Sequence, residues 1–311
     1  MATPNIVVLG TGGTIAGRGA SSSDHTGYVA GQIGVDSLVD AVPGLAELAQ
    51  LQVEQLAQLD SKDMDAPTWS RLARRVAELL ADDGVQGIVV THGTDTLEET
   101  AFLLHSLLAP AKPVVLTCAM RPATALGADG PQNLLDAVLL AATPGVQGVL
   151  SVCAGTVHGP QDVQKVHPYR LDAFSSGDAG PLAHVEAGRL RTLRPWPQGK
   201  ARPHLVDRLA GPWPRVPIVL SHGDAQDWTV EALVNAGAQG LVVATTGNGT
   251  VHQALEAALL RAQGRGVRVV RASRCPQGAV LSGAADVLPV WPGLSPVKAR
   301  LALVLDLLEA T

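Results

Sequence analysis

The sequence predicts an α/β protein, with a large N-terminal domain on a parallel-rich sheet and a smaller C-terminal α/β domain. Three observations lead there. Short Val- and Ile-rich runs alternate with segments of helical period through most of the 311 residues, as βαβ units with strands buried on both faces do. The rhythm breaks once, in "RPWPQGKARPHLVDRLAGPWPRVP", where six prolines stand and no period survives. It then resumes and runs to the C terminus.

The elements follow in order. Segments 6–9, 88–90, 114–116 and 149–152 are too short for helices and rich in Val and Ile, so they are expected as buried strands. A period-two stretch ends at Leu59. Helix is predicted over 67–81, where Trp69, Leu72, Val76 and Leu79 share a face and Pro67 suits a first turn. A second helix covers 97–108, with Leu97, Ala101, Leu104 and Leu108 in register, and a third covers 131–142 behind Asp129 as N-cap. Beyond the break, strands at 216–220, 241–244 and 267–270 alternate with helices at 228–236, 251–261 and from about Pro296. The expected division is a domain over 1–189, a linker over 190–215 and a domain over 216–311.

Composition narrows the class. Hydrophobic residues make up 46% and charged residues 16%, enough apolar surface for a sizeable core. No apolar run reaches the roughly 18 residues that span a bilayer, and "MATP" runs directly into a strand-like segment without a signal-peptide pattern. A cytoplasmic location and no membrane partner are therefore expected. A net charge of −5 argues against a nucleic-acid partner. Cys118, Cys153 and Cys275 form no C-x-x-C pair, Cys118 and Cys153 close apolar runs and read as small hydrophobes, and the nine histidines are scattered, so no metal site is expected.

In open parallel sheets, ligands bind beyond the carboxyl ends of the strands. The residues there are "TGGT" at 11–14, "DSKDMD" at 60–65, "THGTDT" at 91–96 and "CAMRP" at 118–122. Topology thus brings Thr14, Ser61, Thr94, Asp95 and the backbone near Ala119 toward one crevice. The glycine loop does not fit a phosphate cradle: Ile15 stands where a dinucleotide fingerprint needs its third glycine, and no G-x-x-x-x-G-K-[ST] occurs. A G-x-S-x-G hydrolase turn is also missing. What remains is hydroxyl chemistry. A threonine hydroxyl is a weak nucleophile and needs activation, for which Lys165 in "QDVQKVHP", Asp95 and a phenol are candidates. A lysine of ordinary pKa, about 10.4, is protonated at pH 7 and acts as a cation unless burial lowers it. Tyr28 lies in the Gly- and Ser-rich loop "SSSDHTGYVAG", long enough to serve as a lid, and is either its anchor or the phenol of the site. His92 reads as a hydrogen-bonded scaffold group.

These residues resemble a known family. "TGGTIAG" at 11–17 and "GIVVTHGTDTLEETAFLL" at 87–104 are similar to the two signature regions of bacterial L-asparaginases, the asparaginase/glutaminase amidohydrolases. "AMRPATALGADGPQNLLDAV" at 119–138, "QDVQKVHP" at 161–168 and "TTGNGT" at 245–250 extend the resemblance over nearly the whole chain. It implies hydrolysis of L-asparagine to L-aspartate and ammonia, with L-glutamine as a side substrate and no metal or organic cofactor. Thr14 corresponds to the nucleophile and Tyr28 to the lid tyrosine that touches it. Thr94, Lys165 and Asp95 correspond to a second hydroxyl–lysine–carboxylate set. Ser61 and Asp95 match groups that hold the substrate's α-carboxylate and α-ammonium, and Ala119 a position whose carbonyl lies near the side-chain amide. A homotetramer, as a dimer of dimers, or a homodimer is implied, with Asn248 and Thr250 near the subunit contact.

The chain departs from the family in places. Asp60 and Lys62 flank Ser61 where relatives often carry glycine and glutamine or glutamate. Lys62 either strengthens α-carboxylate binding or turns away to pair with Asp60 or Asp63. Thr250 stands where asparagine or serine is common. In "PQGAVLSGAADVLPVW" the only acid is Asp286, with no glutamate to reach a neighbouring subunit. Two other readings share these motifs: a catalytically retired amino-acid sensor, and the glutaminase-like subunit of a tRNA-dependent amidotransferase. All five catalytic positions are filled, which speaks against the first. Length and charge speak against the second.

Overall fold

Five parallel strands form the centre of the computed structural model, which describes residues 3–284 and 286–311. The chain divides into two units, Met1–Ala210 and Gly211–Thr311. In the first, β1 (Asn5–Gly12), α1 (Val35–Asp40), α2 (Leu45–Leu48), β2 (Gln50–Leu59), α3 (Ala66–Ala81), β3 (Gly87–Thr91), α4 (Leu97–Leu108), β4 (Pro113–Thr117), α5 (Gly130–Ala142) and β5 (Gly148–Cys153) follow one another. Short strands complete it: β6 (Thr156–His158), β7 (Gln164–Lys165), β8 (Phe174–Ser175), β9 (Ala183–Glu186) and β10 (Arg189–Thr192).

The large sheet runs β10-β9-β6-β5-β4-β3-β1-β2. Its β2-β1-β3-β4-β5 part is parallel, whereas β6, β9 and β10 join antiparallel. Sequence reading finds the parallel strands but not this antiparallel wing, because strands of three or four residues are too short to show the alternation that would betray them. Strand residues alternate between two buried faces. Ile6, Val8, Val89, Val115 and Leu150 share a core with Val35, Leu45, Leu134 and Val138 from the helices. Val7, Leu9, Ile88, Val90 and Val114 are just as buried between them. Helix α3 buries the predicted Trp69, Leu72, Val76 and Leu79, and Asp65 caps it by accepting the Thr68 N–H at 2.9 Å.

The stretch 190–215, read as a linker, is built onto the first unit as far as Ala210. Strand β10 pairs with β9, the Arg202 N–H donates to the Leu107 carbonyl at 2.7 Å, and Leu205 and Leu209 are buried. The prolines mask these contacts by leaving no period, and the bond of Arg202 to Leu107 joins residues far apart in sequence.

The second unit holds β11 (Ile218–Leu220), α6 (Trp228–Asn235), β12 (Gly240–Thr245), α7 (Gln253–Gly264), β13 (Arg268–Ser273) and α8 (Pro296–Ala310). Its parallel sheet is ordered β11-β12-β13. Val230, Leu241, Val243, Leu255, Leu259 and Val269 form the core. Among the described residues, no helix is long and apolar enough to cross a membrane.

One topological feature positions the site. From β1 the chain moves outward to β2, then returns to β3 on the other side of β1. The loops leaving β1 and β3 therefore diverge and open a crevice at their carboxyl ends.

Candidate active site

Glycine makes this crevice by allowing backbones to touch. Gly13 has φ +81, and a methyl there would fall on the backbone of Gly93; a methyl on Gly93 would fall on the Ser61 hydroxyl. The loops after β1, β2 and β3 thus meet at a point that admits no side chain. The Gly13 N–H also donates to the Leu59 carbonyl at 2.8 Å. The two threonines of "TGGT" have separate tasks. Thr11 donates from Oγ1 to the Thr91 carbonyl at 2.9 Å and ties β1 to β3. Thr14 starts a 3-10 turn over Thr14–Ala16 and presents its hydroxyl to the Tyr28 hydroxyl at 2.6 Å.

Tyr28 arrives from the loop that leaves Gly17 and returns to Gly31. Arg18 and Val29 pair through two backbone hydrogen bonds, 2.9 and 3.0 Å, and the Gly31 N–H donates to the Gly13 carbonyl at 3.1 Å. The loop tip rests on the segment after β4: the Gly19 N–H donates to Thr124 Oγ1 at 2.9 Å, and the Leu126 N–H to the Ser22 carbonyl at 3.0 Å. Thr14 itself is buried.

A second hydroxyl stands after β3. Lys165 Nζ donates to Thr94 Oγ1 at 2.8 Å and to Asp95 Oδ1 at 2.6 Å. Thr94 is buried, while the Asp95 carboxylate is about half exposed and Lys165 mostly covered. With an N–H from Lys165 filling one of its lone pairs, the Thr94 hydroxyl keeps its own proton to give elsewhere. Ser61 Oγ accepts the Asp95 N–H at 3.1 Å and the Ser61 carbonyl accepts from Thr96 Oγ1 at 2.8 Å, which joins the β2 and β3 loops. The structure therefore brings together Thr14 with Tyr28, and Ser61 with Thr94, Asp95 and Lys165.

Beneath these groups runs a polar chain that sequence reading leaves incomplete. His92 is wholly buried; its Nδ1 meets the Gly93 carbonyl at 2.7 Å and its Nε2 the Thr100 hydroxyl at 2.9 Å. A carbonyl only accepts, so Nδ1 carries the proton and Nε2 accepts from Thr100. Thr100 Oγ1 in turn accepts from Trp69 Nε1 at 2.9 Å. Burial pushes the His92 pKa down from 6.5 to about 4, because the charged ring has lost its water. The ring is a neutral brace for the Gly93 carbonyl. Trp69 reads as a core position from its helical spacing and Thr100 lies one residue before the core-facing Ala101; only the tertiary contact reveals their polar ends.

Ala119 is buried at the end of β4. Asp129, expected as the N-cap of α5, does not cap it with its side chain. Its carboxylate instead accepts the N–H groups of Met120 and Arg121, both at 2.9 Å, and so shapes the backbone just past Ala119. Asn133 donates to the Cys118 carbonyl and accepts the Ala154 N–H, each at 2.9 Å, which staples the ends of β4 and β5. Cys118 and Cys153 are buried free thiols with sulfurs 3.1 Å apart, and burial raises the Cys118 thiol well above its ordinary value.

Lys62 takes the second of its two expected courses. Its Nζ lies 2.9 Å from Asp60 and 3.1 Å from Asp63, and the hydrogen bonds it donates to these carboxylates raise its pKa. Asn248 and Thr250 lie in the second unit. Asn248 exchanges two hydrogen bonds with the Leu281 backbone, at 3.0 and 2.7 Å. The Thr250 hydroxyl closes the turn onto Thr246, 2.8 Å from its Oγ1. Asp286 pairs with the buried Arg271 at 2.9 Å, and the Gly283 N–H followed by that guanidinium lower its pKa. Among the described residues, no three His, Cys, Asp or Glu side chains gather closely enough to hold a metal.

Two family models match this chain: Asparaginase, N-terminal, over residues 5–198, and the Glutaminase/Asparaginase C-terminal domain over 215–309. The chain belongs to the asparaginase family. It is 39% identical to L-asparaginase 2 of Escherichia coli strain K12, over 99% of this chain and 90% of that one. It is 37% identical to glutaminase-asparaginase of Pseudomonas fluorescens biotype A, over 88% of this chain and 76% of that one. A crystal structure of a probable cytoplasmic L-asparaginase from Campylobacter jejuni superposes with a TM-score of 0.92, at 38% identity, covering 98% of this chain and 95% of that one. The two-domain α/β architecture is that of the asparaginase fold.

Proposed function

We propose that the protein hydrolyses L-asparagine to L-aspartate and ammonia through an ester on Thr14. The observation that carries this reading is the pairing of two buried threonine hydroxyls with separate activating groups, Thr14 with Tyr28 and Thr94 with Lys165 and Asp95, at one sheet switch point. The names of its relatives supply the substrate class.

Thr14 Oγ1 attacks the side-chain amide carbon and loses its proton through its hydrogen-bonded partner. Backbone N–H groups at the loop after β3, including that of Thr94, hold the developing oxyanion. The C–N bond breaks, nitrogen takes up the proton and ammonia leaves. Water, oriented by Thr94 and Lys165, then adds to the ester; the C–O bond to Thr14 breaks and aspartate departs. Ser61 and Asp95 hold the substrate's α-carboxylate and α-ammonium, and Ala119 offers its carbonyl to the amide. Lys62, held by two carboxylates, stands outside this set. Tyr28 and its loop exclude bulk water while the ester exists.

L-Glutamine is proposed as a second substrate, supported by the glutaminase-asparaginase relatives. Assembly as a homotetramer or homodimer, with Asn248 and Thr250 near the subunit contact, is part of the same proposal, and light scattering on the purified protein measures it. A cytoplasmic location is proposed too, supported by the Campylobacter jejuni neighbour, although a Haemophilus influenzae relative is described as periplasmic. The deciding experiment is ammonia release from L-asparagine and L-glutamine by the wild type and by Thr14→Ala. Loss of at least about three orders of magnitude in kcat is expected on removal of a nucleophile. Turnover that survives in the variant refutes the ester.

A further inference from the structure

We infer that Glu98 is a positioning residue that holds Lys165 in place by its backbone. Lys165 does not belong to the sheet that carries Thr94 and Asp95. It lies on β7, a two-residue strand that, among the described residues, pairs only with β8, in a separate two-stranded ladder. The Val166 N–H bonds to the Ala173 carbonyl at 2.8 Å, on the β8 side. The Lys165 N–H goes elsewhere: it donates to Glu98 Oε2 at 3.0 Å.

Glu98 sits in the first turn of α4, three residues beyond Asp95. Backbone leaving Asp95 enters this helix directly, so Glu98 moves with the loop that carries Thr94. The hydrogen bond therefore ties the lysine's own backbone to the element that presents its two side-chain partners, across 67 residues of chain. A carboxylate is favoured at a helix N-terminus and accepts strongly from a backbone N–H. Without this tie, the short ladder with β8 is left to place the lysine's backbone, and the long flexible side chain alone sets how Nζ meets Thr94 Oγ1 and Asp95. A displacement near 1 Å in such a group costs up to about 100-fold in rate.

This inference rests on the role proposed above for Lys165. Its test compares steady-state ammonia release from L-asparagine by wild type, Glu98→Ala and Glu98→Gln, with thermal midpoints alongside. Glu98→Ala is expected to lower kcat between about 10- and 100-fold with a smaller rise in KM, since Ser61 and the β1 loop are untouched and Asp95, the lysine's partner, stays on its own loop. Glu98→Gln keeps an amide oxygen in the same place and is expected to recover most of the loss. In a Lys165→Met background, Glu98→Ala is expected to have no further effect, because the residue acts through that lysine.

An unchanged kcat in Glu98→Ala overturns the inference. So does a loss shared equally with Glu98→Gln, or one that persists in full without Lys165. Should Glu98→Ala fail to fold, the Gln variant decides alone: kcat near wild type supports the tie through an acceptor atom, and a tenfold loss refutes it. A wild type that releases no ammonia from asparagine would instead refute the proposed function, so the two failures are distinct.

Discussion

Replacing His92 by glutamine tests how burial of one ring sets the acid stability of the site's foundation. In the folded chain this ring is wholly buried and its pKa falls to about 4; in the unfolded chain it returns to near 6.5. Above pH 6.5 both states are neutral at this position and the contribution is complete. As pH falls from 6.5 toward 4, only the unfolded chain takes up the proton, so stability declines with pH. The depression corresponds to about 3 kcal/mol, at about 1.4 kcal/mol per pH unit. Glutamine reaches the same partners without titrating: its N–H₂ faces the Gly93 carbonyl and its oxygen accepts from Thr100. Urea midpoints of wild type and variant, taken from pH 7 to about pH 4 at one protomer concentration, measure the difference. His105, also lowered by burial, and Asp136, raised by it, are present in both chains and cancel. The wild type is expected to lose about 3 kcal/mol relative to His92→Gln over that range. A difference independent of pH would refute the argument.

Three further outcomes follow from local geometry. Gly93→Ala drives a methyl into Ser61 and Gly13; a loss of about 1–3 kcal/mol is expected, read as a lower thermal midpoint together with a raised KM for asparagine. Arg271→Met removes bonds to the Leu288 and Gly249 carbonyls, at 2.9 and 2.8 Å, and takes the ion-pair partner from Asp286, which keeps the Gly283 N–H. Each buried carbonyl left without its donor should cost about 1–3 kcal/mol, with proteolysis accelerated between Cys275 and Val290. Lys62→Ala should leave both the thermal midpoint and KM unchanged, because this exposed lysine is occupied by Asp60 and Asp63. A KM rise above roughly threefold would place it on the substrate instead.

Much of the first unit was legible because its signals are local. The buried parallel strands are runs of Val and Ile, and α3 announces itself by Trp69, Leu72, Val76 and Leu79, all of which are buried. Linking "TGGT" with "THGTDT" to a hydroxyl site was also within reach, since both follow strands and topology places such loops together. Other features lie beyond one-dimensional reading because they depend on which distant atoms meet. Asp129 has the pattern of a helix cap yet serves the Met120 and Arg121 backbone. Trp69 has the spacing of a core residue and Thr100 lies beside one, yet the two carry the hydrogen bonds that orient His92. The 190–210 stretch has the composition of a linker yet buries Leu205 and Leu209.

The sequence by itself determined the residue types, the order of the parallel strands and long helices and the chemistry open to the strand-end loops, since propensity and periodicity act within a few residues. Only the tertiary structure decided that Gly13 and Gly93 touch, that Thr14 meets Tyr28 and that Lys165 reaches Thr94 across 71 residues. Such contacts come from the packing of whole elements, and hydrogen bonds, which act over about 3 Å, form wherever that packing brings donor and acceptor together.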